Sequence, residues 1–148
     1  MKVPKEFGVG DDALIEVVVP NDLHRAREAE ETILAAVGAC GYDPDAVFGI
    51  KLSLEEALTN AVRHGNAGDP AKTVTIRYFV DAERVVVMVR DEGNGFRPEA
   101  VPDPTADENL ERPSGRGLML MQSYMSQVTY SARGNEVWML KLNRPAPQ

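Results

Sequence analysis

Three short segments of the 148-residue chain carry side chains suited to holding a ligand or moving a proton. In Leu54-Glu55-Glu56-Ala57-Leu58-Thr59-Asn60-Ala61-Val62-Arg63-His64, the residues Glu56, Asn60 and His64 fall at i, i+4 and i+8 and share one face of a helix. A carboxylate and an amide oxygen one turn apart suit a hard, oxygen-seeking cation, or a proton acceptor beside one. A solvated helix face would carry the same residues, with His64 near a helix C-terminus where an imidazolium is welcome. In the second segment the apolar run Val85-Val86-Val87-Met88-Val89 leads to Asp91, and Gly93 and Gly95 let backbone approach a ligand or take positive φ. A surface turn has a similar composition, but here a long Pro/Gly-rich stretch follows in place of a return strand. The third segment, Ser114-Gly115-Arg116-Gly117-Leu118, brings glycines into a helix start, where unpaired N–H groups and the positive end of the dipole favour an anion. It is neither a Walker A loop nor a dinucleotide fingerprint.

The elements that must position these segments follow from periodicity and punctuation. Ala13–Val19 is β-branched, stops at Pro20 and reads as a strand. Asn21 or Asp22 caps a helix with Leu23, Ala26, Ile33 and Val37 at helical spacing, ending at Gly38 or Gly41. Asp43-Pro44 opens a second helix that buries Val47, Ile50, Leu54, Leu58, Ala61 and Val62 and runs to Gly65. Thr73–Val80 and Arg84–Arg90 form a hairpin around Asp81-Ala82-Glu83. From Asp91 to Gly117, Pro98, Pro102, Pro104 and Pro113 rule out a regular element through most of the stretch, and a loop that long is usually functional or disordered. Gly117–Met125 reads as a short helix, and Val128–Ala132 with Glu136–Leu142 as a last hairpin. Helices and hairpins are grouped instead of alternating, which predicts a two-layer α+β sandwich, helices on one face of a mixed sheet, in a single domain spanning 1–148.

Composition narrows the chemistry. One Cys and two His leave no intramolecular disulfide and little for a zinc site, and no secretory signal opens the chain, so a cytoplasmic setting is expected. No apolar run approaches the roughly 20 residues of a membrane span. With 16 basic against 23 acidic residues and a net charge of -7, nonspecific nucleic-acid binding would be opposed by phosphate repulsion. Even the Arg90–Arg116 stretch holds only Arg90, Arg97, Arg112 and Arg116 against seven acidic residues. A phosphate ligand would therefore depend on a metal ion and oriented backbone amides.

In this order and spacing, Glu-x-x-x-Asn on a helix, Asp-x-Gly-x-Gly-Phe after a strand and Gly-x-Gly-Leu at a helix start resemble the Bergerat-type (histidine-kinase-like) ATP-binding fold. Within that fold, Glu56-Ala57-Leu58-Thr59-Asn60-Ala61, Val89-Arg90-Asp91-Glu92-Gly93 and Pro113-Ser114-Gly115-Arg116-Gly117 resemble the anti-sigma factor serine/threonine kinases, over most of the chain (core about 12–143). The resemblance implies an α+β sandwich with a mixed, mostly antiparallel sheet. It also implies ATP and Mg²⁺ as cofactors, a sigma factor and an anti-sigma antagonist as protein partners, and a homodimer. It implies that Asn60 holds Mg²⁺ and that Glu56 is the general base toward a Ser or Thr hydroxyl, with Glu55 one residue out of register. Asp91 would accept from the adenine amino group, and Gly93 and Gly95 would floor the base and ribose. Residues 97–114 would form a lid, and Gly115 and Gly117 would present amides to the phosphates. Arg63, His64, Phe96, Ser114, Arg116 and Leu118 complete the implied ATP contacts, and Arg112 the contact to γ-phosphate or partner.

Two features depart from the family pattern. Gly134-Asn135 stands where many Bergerat ATPases carry Gly-Thr, which puts the adenine contacts there in question, and Pro113 follows Arg112 and alters its reach. Two activities are compatible with these residues. One is a kinase that phosphorylates an antagonist and otherwise sequesters a sigma factor. The other is a nucleotide-dependent protein-binding module with little kinase activity. The ATPase half of a histidine kinase would need a dimerising helix pair bearing a phosphoacceptor His, and the short segment before the first strand leaves no room for it. His24 is expected to be structural only.

Overall fold

The computed structural model describes residues 2–93 and 115–143. Five strands form one sheet: β1 (Ile15–Pro20), β2 (Thr73–Val80), β3 (Arg84–Arg90), β4 (Gln127–Tyr130) and β5 (Glu136–Leu142), in the order β1-β2-β3-β5-β4. Among the described residues the α-helices are α1 (Leu23–Ala39), α2 (Pro44–Thr59) and α3 (Gly115–Tyr124). All four strand pairings among the described residues are antiparallel, in keeping with the α+β sandwich and mostly antiparallel sheet that the sequence implies. Both hairpins form as their sequences predict, and β3 then pairs with β5, which encloses it between two antiparallel neighbours.

The helix starts follow local chemistry. Asp22 accepts from the His24 and Arg25 N–H groups, and Asp43 accepts from Ala46 N–H with Pro44 in the first turn. Each such cap contributes about 1 kcal/mol. The apolar stripes of the helices, including Ala26, Ile33 and Val37 on α1 and Ile50, Leu54 and Leu58 on α2, pack on Val74, Ile76, Val85, Val87 and Val89 of the sheet.

The other sheet face is also covered over β3 and β5, which explains why β3 is apolar without alternation. Val86 and Met88 lie with Trp138 and Leu140 under Val3 and Phe7 of the N-terminal segment. That segment forms short 3₁₀ turns at Lys5–Phe7 and Asp11–Ala13, the latter where the sequence suggested the strand already begins. It is tied down by Arg84 donating to the Phe7 carbonyl (3.0 Å) and by an Arg77–Asp11 ion pair (3.3 Å). Arg77 also lies over the Trp138 ring at 5.8 Å, a cation–π contact.

One carboxyl is buried between α1 and α2. Glu30 is 4% exposed and borders a small cavity shared with Arg27, Glu55 and Thr59. Burial, with the neighbouring Glu55 adding to it, pushes its pKa up to about 7.

Candidate functional site

The site begins where α2 changes pitch. At Asn60 the helix continues as a π turn through Gly65, and Asn66 N–H donates five residues back to the Ala61 carbonyl at 2.8 Å. Such widened turns recur at functional sites. Ala57, Asn60, Ala61, His64 and Gly65 form one wall of a cleft of about 300 Å³, within the range of small-molecule sites. The facing wall is the end of β3 with the β4–β5 turn: Val89, Asp91, Gly93, Tyr130, Gly134 and Asn135.

Asp91 sits one residue beyond β3, its carboxylate packed against Gly65 and oriented by the Gly93 N–H at 2.8 Å. Burial raises its pKa, while the Gly93 N–H and the positive charges of Lys72 and Arg133 act in the opposite direction. Both glycines are required by close approach. A Cβ on Gly65 would stand 2.6 Å from Asp91 Oδ1, and one on Gly93 would stand 2.6 Å from the Gly65 carbonyl carbon. The cleft is thus floored by two backbones in contact, with a single carboxylate at their junction.

At the other end, the start of α3 meets α2. A Cβ on Gly117 would stand 2.9 Å from Glu56 Cγ and 3.0 Å from Cδ, so the first turn of α3 lies directly against the Glu56 side chain. Gly115, Arg116 and Gly117 make up the first turn of α3, the end where the helix dipole is positive. Tyr130 is between the two ends. Burial and the negative charges of Glu56 and Asp91 push its pKa up.

The structure therefore brings Asn60, His64, Asp91 and Gly93 to one cleft and sets Glu56 against Gly117. Gly115 and Arg116 open α3, and Leu118 is half-buried in it. Arg63 is exposed and is not among the cleft-lining residues. Gly95, Phe96, Arg112 and Ser114, with the 97–114 lid, lie outside the described residues. The sequence reading did not single out Lys72, Tyr130 or Ala57 as cleft residues. Tyr130 is the one with a usable signal, as an aromatic at the end of a strand facing the Asp91 turn. Asn135 lines the cleft and donates to the Asp91 carbonyl at 3.1 Å, so the departure from Gly-Thr still delivers a polar side chain there. Among the described residues no group of three or more His, Cys, Asp or Glu is placed to hold a metal, and no helix is long and apolar enough to cross a membrane.

A family model described as the histidine kinase-like ATPase domain matches residues 19–141. Over 111 residues the chain is 33% identical to an anti-sigma F factor of Anoxybacillus flavithermus, covering 73% of this chain and 75% of that protein. Over 122 residues it is 32% identical to the serine-protein kinase RsbW of Bacillus subtilis, covering 77% and 75%. Its fold is similar to that of the RsbU and RsbW domains of a Mycobacterium tuberculosis protein, with a TM-score of 0.60 at 18% identity. That alignment takes in 90% of this chain and 33% of the longer one.

Proposed function

The chain belongs to the histidine kinase-like ATPase family, and from that premise we propose that it is an ATP-dependent serine/threonine kinase and anti-sigma factor. In this reading it phosphorylates an antagonist protein and sequesters a sigma factor. The observation that carries the nucleotide half is the Asp91 carboxylate held over the Gly65–Gly93 floor of a cleft that Asn60 also lines. Placed at the purine 6-position, such a carboxylate accepts from the 6-amino group of adenine and would face the 6-carbonyl of guanine, which selects adenine.

The residues fit a magnesium nucleotide. Asn60 lines the cleft, and its amide oxygen would hold Mg²⁺, which commonly takes one or two protein oxygens with phosphates and water completing its shell. When bound, the ion supplies neutralisation of phosphate charge. The chain's own contribution is positional. In this reading the positive dipole end of α3, whose Gly117 packs against Glu56, favours the phosphates at that end of the site. Glu56, half-exposed at that point, takes the proton of an incoming Ser or Thr hydroxyl as its oxygen bonds to the γ-phosphorus. The bond from phosphorus to the bridging oxygen breaks and ADP leaves. His64 and the first-turn residues of α3 complete the nucleotide contacts.

Residues 1–148 are taken as one such domain, and a homodimer in the cytoplasm belongs to the same reading. The test is capture of partners from the source organism with and without Mg-ATP, with phosphosite mapping of what binds. Recovery of a sigma factor and a small antagonist phosphorylated on Ser or Thr is the expected result. Nucleotide-dependent capture with no phosphosite would leave only a binding module, and recovery of neither would refute the regulatory reading.

A further inference from the structure

The peptide unit between Asp91 and Glu92 lies just past the last residue of β3, where the strand ladder no longer holds it. Its two polar ends are instead taken by two asparagine side chains. Asn135 Nδ2 donates to the Asp91 carbonyl at 3.1 Å, and Asn66 Oδ1 accepts from the Glu92 N–H at 2.8 Å. The preceding N–H, that of Asp91, donates to the Asn135 carbonyl at 3.0 Å. Every backbone torsion that sets the direction of the Asp91 side chain is therefore fixed from outside the strand.

The two asparagines are themselves anchored. Asn66 is completely buried, and its Nδ2 donates to the Thr73 carbonyl at 2.9 Å and to Asn21 Oδ1 at 3.0 Å. Asn21 in turn donates to the Asp69 carbonyl at 3.0 Å. Asn135 Oδ1 accepts from Ser131 Oγ at 3.3 Å. One asparagine thus ties Asp91 to the turn after the π segment, and the other ties it to the β4–β5 turn. Each amide uses both its donor and its acceptor, so neither is interchangeable with an apolar residue of similar size.

We propose that Asn66 and Asn135 form a clasp on the Asp91–Glu92 peptide that sets the nucleotide selectivity of the cleft. Both act as positioning residues for Asp91. This rests on the reading of the cleft as an adenine nucleotide site and deepens it. Asn66 does not line the cleft at all, so its influence on a ligand runs only through the peptide it holds.

A structural pin and a positioning residue differ in what they change. The test measures dissociation constants for Mg-ATP and Mg-GTP, together with melting temperature, for the full chain and for Asn66→Ala, Asn135→Ala, the double variant and Asn21→Ala. The clasp predicts that each single variant at Asn66 or Asn135 lowers the preference for ATP over GTP about fivefold or more. The double variant should lose about as much as the larger single effect, because one peptide is released in either case. Asn21→Ala removes one anchor of Asn66 but leaves its bonds to Thr73 and Glu92, so it should lower the melting temperature and cost less of the preference than Asn66→Ala. A preference unchanged in Asn135→Ala overturns the proposal, as does an equal loss in Asn21→Ala and Asn66→Ala. If Asn66→Ala does not fold, Asn135→Ala, at a half-buried turn position, decides alone. A wild-type chain that binds both nucleotides equally refutes the adenine reading itself, and a wild-type preference that survives in the variants refutes only the clasp.

Discussion

Replacing Gly117 by alanine separates the placement of Glu56 from the stability of the fold. The added Cβ would stand 2.9 Å from Glu56 Cγ and 3.0 Å from Cδ, and nearer still to the carboxylate oxygen. Carbon contacts settle at about 3.5–4.0 Å, so the carboxylate must retreat by about 1 Å. The atoms in the way are the far end of a half-exposed side chain, which can rotate, and no backbone needs to move. Alanine is also the better helix former, by up to about 1 kcal/mol. The fold should therefore keep its melting temperature within a few degrees. A general base displaced by about 1 Å costs on the order of 100-fold in rate. The assay is transfer of labelled γ-phosphate to an antagonist protein at saturating Mg-ATP, alongside calorimetric ATP binding and thermal melting. Transfer at the wild-type rate would refute the assignment of Glu56 to the reacting end of the cleft. A collapse of the melting temperature would refute the claim that the contact is only with a movable side chain.

Gly93→Ala makes the opposite prediction, because its Cβ meets the Gly65 carbonyl carbon at 2.6 Å and backbone must yield. ATP binding should fall at least tenfold and unfolding free energy by about 1–3 kcal/mol, measured by calorimetry and urea titration. Glu30→Gln should alter the pH dependence of stability. The wild-type carboxyl releases its proton near 4.5 when unfolded and near 7 when folded, so the unfolded state binds fewer protons between those values and stability drops as pH rises through that window. The variant lacks this drop and should gain on the wild type by up to about 3 kcal/mol between pH 4.5 and pH 8 in urea unfolding; parallel pH profiles would contradict it. Phe7→Ala removes a fully buried ring from the outer sheet face and should cost about 3–5 kcal/mol. A loss under 1 kcal/mol would show that the N-terminal segment is not part of the folded core.

The cleft was legible in the sequence where a short motif fixes both residue type and spacing. Glu56, Asn60 and His64 announce themselves by helical periodicity, and Asp91 by its place after an apolar strand. Both hairpins were legible for the same local reason. What was not legible depends on contacts distant in sequence. The pairing of β3 with β5 joins residues some 50 apart, and it makes the sheet antiparallel throughout. The segment holding Phe7 has too few residues to show a period, yet it completes a second apolar layer. Asn66 looks like a turn residue in Gly65-Asn66-Ala67-Gly68, and only the fold shows that its amide reaches Glu92 and Thr73. The π pitch at Asn60–Gly65 likewise leaves no periodic trace, because six residues are too few to tell one helical pitch from another.

The central claim is that phosphotransfer and binding are divided between Glu56 on α2 and Asn60 one turn further on, where the π turn begins. Measuring Mg-ATP affinity and transfer of γ-phosphate to a Ser- or Thr-bearing antagonist, for wild type, Glu56→Ala and Asn60→Ala together, tests it directly. Glu56→Ala should bind Mg-ATP as the wild type does and transfer nothing measurable, while Asn60→Ala should lose the magnesium-dependent part of binding. Phosphorylation by Glu56→Ala at the wild-type rate, or undiminished magnesium-dependent binding by Asn60→Ala, would contradict it.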